Sequence, residues 1–204
     1  MDRGLLIVLS GPSGTGKGTV CKALLNKRPD IALSISCTTR EPRTGEIHGK
    51  HYFFTSQDEF EKRIEDGDFL EYANVFSNYY GTPKSFVDET LASGKDVLLE
   101  IDVQGALKVK KNSPDGVFIF LVPPSMAELE KRIRSRGTET EEKIRERLGK
   151  ADAEMQLMEK YDYVIINDEV SCVVKKIEDI ITAEKLRVKR NLEKHNILRS
   201  GTIL

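Results

Sequence analysis

Leu5 to Leu9 (LLIVL) run straight toward the nonapeptide GPSGTGKGT at residues 11–19, and no other stretch of the chain restricts its fold so tightly. A continuous apolar run that ends in glycines reads as a strand buried on both faces, as in a parallel sheet. Residues 17–28 then follow helical spacing, with Val20, Ala23, Leu24 and Leu25 on one side and Pro29 as the stop. Strand, glycine loop and helix in this order gather backbone N–H groups and a helix N-terminus around one point. Glycines let the N–H groups turn inward, often at positive φ. The helix contributes the positive end of its dipole, and Lys17 adds a full charge for β- and γ-phosphates. Gly11, Pro12, Ser13, Gly14, Thr15, Gly16, Lys17, Gly18 and Thr19 are therefore the candidate nucleotide-binding loop.

The usual pattern for such a loop is G-x-x-x-x-G-K-[ST]. Gly11, Gly16 and Lys17 match it, but Gly18 stands where the hydroxyl belongs and Thr19 comes one place later. The departure leaves open which side chain touches Mg²⁺. It leaves the backbone cradle and the lysine intact.

The remaining chain fits one α/β unit. With 204 residues and 39% hydrophobic content it can bury one core. Val97–Ile101 (VLLEI), Val117–Val122 (VFIFLV) and Val164–Ile166 read as further buried strands. Helical patterns lie over 57–66, 84–93, 125–135, 139–160 and about 170–194, with Gly105 opening a further turn or helix. Strands alternating with helices predict a parallel sheet covered on both faces. The Arg/Tyr-rich stretch 34–89, with short β-like pieces such as HYFFT, interrupts the rhythm and reads as an inserted substrate-binding lobe.

Charge and cysteine usage narrow the class. The 32 basic and 33 acidic residues nearly cancel, which argues against a nucleic-acid or polybasic membrane surface. Cys21, Cys37 and Cys172 are odd in number and far apart, the pattern of free thiols in a reducing compartment. His48 and His51 have no ligand pattern around them and read as loop residues. No apolar run has the length of a membrane span, and the run at Leu5 is too short for a signal-peptide core. A cytoplasmic protein is expected. The last helix can pack on its own core or on a partner, so a homo-oligomer stays open.

Among proteins with this loop, a GTPase is the first rival, because Asp102-Val103-Gln104-Gly105 matches the short D-x-x-G pattern. The N-K-x-D element that reads guanine in GTPases is absent. Arginines favour a kinase, since phosphoryl transfer asks a protein mainly to position groups and neutralise charge. Arg132 and Arg136 lie four apart on one helical face, and Arg147 follows in the next helix. By themselves these three also fit a solvated face, because Glu residues are interleaved. Arg40 and Arg43, with Ser36, Thr38 and Thr39 nearby, form a second basic group suited to gripping phosphate in pairs of bonds. Tyr52 and the Tyr79–Tyr80 pair offer hydroxyl donors, with core packing the alternative for the tyrosines.

Taken together, GPSGTGKGT at 11–19, SCTTREPRTGE at 36–46, Tyr52, Glu71 to Thr82 (ending NYYGT), EIDVQG at 100–105, RSRGTETEEKIRERL at 134–148 and VIIND at 164–168 resemble the guanylate kinase family across nearly the whole chain. The resemblance implies a P-loop NTPase fold with a core (1–33, 90–125 and 158–204), a GMP-binding lobe (34–89) and a helical lid (126–157). It implies ATP and GMP as substrates, with Mg²⁺ carried by the nucleotide phosphates and Thr19 or Asp102 as candidate direct ligands. ATP falls to residues 11–19 and Asn167, the last approaching the adenine. Arg40, Arg43, Tyr52 and Tyr80 would hold the GMP phosphate, and Ser36, Glu71 and Thr82 would read its base. Asp102 would lie near the reaction centre and the acceptor. Lys17, Arg132, Arg136 and Arg147 would carry the transfer. A non-catalytic protein-binding module of the same shape, or a kinase with another nucleotide acceptor, are the alternatives. The chemistry of guanine agrees with the base assignment: one carboxylate accepts from N1–H and N2–H together, and hydroxyls donate to O6. AMP would leave that carboxylate unpaired.

Overall fold

The computed structural model describes residues 3–75, 77–135 and 140–191. Along the chain run β1 (Leu6–Ser10), α1 (Lys17–Lys27), β2 (Ala32–Leu33), β3 (Cys37–Thr38), β4 (Phe53–Phe54), α2 (Gln57–Glu65), β5 (Phe69–Val75), β6 (Asn78–Pro83), α3 (Lys84–Ala92), β7 (Val97–Glu100), α4 (Val103–Asn112), β8 (Val117–Val122), α5 (Met126–Arg134), α6 (Glu141–Met155), a 3-10 turn at Met158–Lys160, β9 (Tyr163–Ile166) and α7 (Val170–Lys185).

The core is a parallel sheet in the order β2-β7-β1-β8-β9. Every residue of β1 is buried. Successive side chains of a strand point to opposite faces, so Leu5, Ile7 and Leu9 pack with Leu24 of α1 and with Val173, Ile177 and Ile181 of α7. Leu6 and Val8 pack on the other face with Val87 and Leu91 of α3 and Ala106 and Val109 of α4. Each of the Leu, Ile and Val side chains contributes about 1.5–3 kcal/mol on burial. These layers agree with the parallel sheet covered on both faces that the apolar runs predict. The apolar face of α7 is used on this chain's own core. β1 lies between β7 and β8, so the chain leaves the sheet in opposite directions on either side of it, and a crevice opens at the strands' carboxyl ends.

Residues 34–89 do more than hold short β-like pieces. They form a second sheet in the order β4-β3-β6-β5, with β5 and β6 an antiparallel hairpin. An aromatic stack anchors it: Phe60 of α2 lies 4.4 Å from Phe69 and 5.2 Å from Tyr79, ring centre to ring centre. Such pairs add about 0.5–1.5 kcal/mol each beyond their buried area.

Three other boundaries differ from the sequence reading. β2 is an additional edge strand, two residues long and too short for any periodic signal. The helix expected over 139–160 is α6, ending at Met155, followed by a 3-10 turn; residue 139 itself lies outside the described residues. α7 stops at Lys185 rather than running to 194, of which 192–194 lie outside the described residues. There the chain bends so that Arg187 and Arg190 both reach the buried carboxylate of Glu184.

Candidate active site

A cleft of about 560 Å³ lies at the carboxyl ends of β1 and β7, between the phosphate loop, the second sheet and α6. Its loop wall consists of Gly11, Ser13, Gly14, Gly16, Lys17, Gly18 and Thr19. Gly16 sits at φ +92° and a β-carbon there would lie 2.6 Å from Nδ2 of Asn167, so both backbone and space call for glycine. Thr15 is buried and its hydroxyl donates to the Pro12 carbonyl over 2.9 Å, closing the turn. The Lys17 ammonium donates to the carbonyls of Gly11 (2.7 Å) and Pro12 (3.1 Å). Burial holds its pKa below the usual lysine value, against the opposing charges of Glu100, Glu154 and Asp102.

Asn167, expected at the ATP site, and Arg132, expected among the transfer arginines, brace the loop from behind. Asn167 is buried and donates to the Thr15 carbonyl over 2.6 Å. Arg132 donates to the carbonyls of Thr15 (3.4 Å) and Asn167 (3.1 Å), and to Glu128. Neither side chain lines the cleft. Arg136 lies outside the described residues.

The opposite wall holds Ser36, Tyr52, Glu71, Val75 and Tyr80. β5 and β6 shift register between Phe69 and Glu71, and the irregularity leaves Glu71 directly opposite Thr82. Leu70 and Glu71 are consequently both buried. The Thr82 hydroxyl donates to Oε1 of Glu71 over 2.8 Å. Burial pushes the Glu71 pKa up to about 7, with the Thr82 bond opposing and the charge of Asp102 assisting. On β6, Tyr79 turns away to stack on Phe60, whereas Tyr80 faces the cleft with its ring 6.0 Å from Tyr52. Arg40 lies against Tyr52, its guanidinium carbon 5.5 Å from the ring centre. Both oxygens of Glu46 accept from Arg40 at 2.9 Å, and Oε2 also accepts from the Arg43 backbone at 2.8 Å. The Arg43 residue is exposed, and neither arginine lines the cleft itself.

Sequence comparison decides the family. The guanylate kinase family model matches residues 3–184. A guanylate kinase of Caldanaerobacter subterraneus is 57% identical over 201 residues, 98% of either chain. One of Clostridium tetani is 56% identical over 203 residues, covering 100% of this chain and 97% of its own. The chain belongs to the guanylate kinase family. A crystal structure of guanylate kinase from Anaplasma phagocytophilum has the same fold, with a TM-score of 0.81 at 34% identity over 100% of this chain and 98% of that one.

The cleft also contains two further expected residues, Asp102 just after β7 and Arg147 of α6, together with Glu100, Ile101, Lys150 and Glu154. Glu100, Lys150 and Glu154 were not among the sequence candidates. The spacing 147, 150 and 154 on one helix places them on one face as Arg147, and Glu100 opens the EIDVQG segment, so both signals were present. Asp102 caps α4, its Oδ1 accepting from Gln104 (2.7 Å) and Gly105 (3.0 Å). Among the described residues no group of three His, Cys, Asp or Glu forms a metal cage. Mg²⁺ in kinases keeps several waters and takes one or two protein ligands besides phosphate, so the donors here fit it. Thr19, Glu100 and Asp102 share the cleft with the loop, and Glu100 Oε1 lies 3.4 Å from where a β-carbon on Gly18 would stand.

Proposed function

We propose that the phosphate loop and the β5–β6 lobe hold ATP and GMP end to end in this one cleft, so that the γ-phosphoryl group of ATP passes to GMP and yields ADP and GDP. Identity of 56–57% to guanylate kinases over the whole chain supports the activity. The observation that carries the site is the shared cleft itself, with Lys17 on one wall and Glu71, Tyr52 and Tyr80 on the other.

Residues 11–19 take the ATP phosphates, and Asn167 with Arg132 keeps that loop in shape. Arg40, Arg43, Tyr52 and Tyr80 take the GMP phosphate. The Arg40 ion pair with Glu46 supports this role by fixing the guanidinium beside Tyr52. Glu71 accepts from guanine N1–H and N2–H. Because the Thr82 proton is committed to Glu71, Ser36 is the hydroxyl that donates to O6. No general base is required, since the acceptor phosphate is already ionised at neutral pH. Mg²⁺, when bound with ATP, supplies neutralisation of the β- and γ-phosphate charge. Thr19, Glu100 and Asp102 are the residues that would hold it. Lys17 and Arg147 spread the charge that moves from γ toward β, joined by the lid arginines Arg132 and Arg136 once the lid closes over the phosphates. Residues 34–89 act as the acceptor lobe and 126–157 as a lid whose closure brings the phosphates into line. Among the described residues no helix is long and apolar enough to cross a membrane, and the substrates suit a cytoplasmic setting in purine nucleotide metabolism.

A coupled assay of ADP release with ATP and GMP tests the reading, with AMP, UMP and dGMP run beside it. Rapid turnover of GMP with little of AMP or UMP is expected. Faster turnover of AMP or UMP would reassign the acceptor.

A further inference from the structure

Gly105, in the first turn of α4, packs directly on the Glu71 carboxylate. A β-carbon at 105 would lie 2.6 Å from Oε2 and 3.1 Å from Cδ of Glu71, well inside van der Waals contact. The backbone gives no reason for glycine here: Gly105 is absent from the positive-φ glycines of the described residues, and alanine is the better helix former. The reason lies across the interface with β5.

The two sides of that interface are held unequally, the carboxylate by one side-chain bond and the helix by several. Glu71 is 6% exposed and bonded to Thr82. α4 is tied to β5 on both flanks of Glu71. Asn112 Nδ2 donates to the Leu70 carbonyl over 3.2 Å, and the Lys108 ammonium donates to the Tyr72 carbonyl. The turn itself is fixed by the Asp102 cap, which accepts from the Gly105 N–H. A methyl group at 105 would therefore displace the carboxylate and leave the helix in place.

We propose that Gly105 is a specificity-determining positioning residue, whose missing side chain leaves the space from which Glu71 faces guanine. The inference rests on the reading of Glu71 as the group that recognises the base.

A double-mutant cycle of Gly105→Ala and Glu71→Ala tests it, with GMP and ATP affinities by calorimetry and thermal melting on the same preparations. Gly105→Ala alone should weaken GMP binding about tenfold or more, because a small misplacement of a recognition group is costly. ATP affinity should stay near wild type, and the preference for GMP over AMP should fall. In the Glu71→Ala background the same substitution should cost no further GMP affinity and no melting temperature. Equal losses in both backgrounds, a parallel loss of ATP affinity, or unchanged GMP affinity in Gly105→Ala would overturn the proposal. If Glu71→Ala binds GMP normally, the base-reading role fails instead, while the melting cycle still reports whether the 71–105 contact exists.

Discussion

Glu71 and Thr82 stand opposite one another across the β5–β6 pairing, and the Thr82 hydroxyl donates to the carboxylate over 2.8 Å where almost no solvent reaches either residue. The arrangement buries an acid at the place where a base must be read. Its cost appears in the raised Glu71 pKa of about 7.

That pKa makes GMP affinity depend on pH. Only the carboxylate accepts from N1–H and N2–H, so affinity should rise about tenfold between pH 6 and pH 8, as the charged fraction climbs from about a tenth to nine-tenths. The GMP phosphate also titrates near pH 6, so Glu71→Gln is the control and should keep only the phosphate-linked part. Stability moves in the opposite sense. The folded state holds the Glu71 proton up to about pH 7 and the unfolded state only up to about 4.5, so the favourable contribution is present at low pH and lost as pH rises through 7. Glu71→Gln should therefore gain melting temperature relative to wild type as pH goes from 5 to 8. A pH-independent difference would contradict the assignment.

Lys17→Ala removes the only lysine among the loop residues that line the cleft. We expect kcat to fall about 10²–10³-fold or more, the scale of losing one charged transition-state contact, with a cooperative melt retained. Near-normal turnover by the folded variant would remove Lys17 from the transfer step.

Arg40→Lys tests the phosphate grip. A lysine cannot reproduce the planar fork that joins Nη2 to Glu46 and Nη1 to the Glu41 carbonyl while lying against Tyr52. The KM for GMP should rise about tenfold while the KM for ATP changes less than about twofold. Steady-state kinetics with each substrate varied in turn separate the two, and equal changes would place Arg40 outside the acceptor site.

Asn167→Ala removes the 2.6 Å donor to the Thr15 carbonyl and leaves it only the long 3.4 Å contact with Arg132. The expected loss is about 1–3 kcal/mol of stability, read as a lower melting temperature. ATP affinity should fall more than GMP affinity, because the loop is what the side chain braces. A variant that loses ATP affinity with no loss of stability would point to direct contact with the nucleotide instead.

Legibility in the sequence followed the range of the interactions. β1, β7 and β8 were readable because an apolar run reports its own burial, and α1 because Lys17–Lys27 carries its pattern between a glycine loop and a proline. Tyr80 and Tyr79 could not be told apart by composition; pairing of β6 with β3 and β5 turns one to the cleft and the other to Phe60. Glu100 opens the EIDVQG motif and Lys150 and Glu154 share a helical face with Arg147, but only the fold brings all of them to the cleft. Asn167 is expected near the adenine and Arg132 among the transfer arginines; the bonds both make to the loop backbone carry no signal in the sequence.

By itself the order of residues determined the parallel α/β core, the phosphate cradle and the family, because strand burial, glycine turns and helix starts are settled among chain neighbours. Which side chains meet was decided only by the tertiary structure. Gly105 against Glu71, Asn167 against Thr15 and Arg132 against both carbonyls join positions 34, 152, 117 and 35 residues apart. Such contacts are set by how sheets and helices close on one another, and no local pattern carries that geometry.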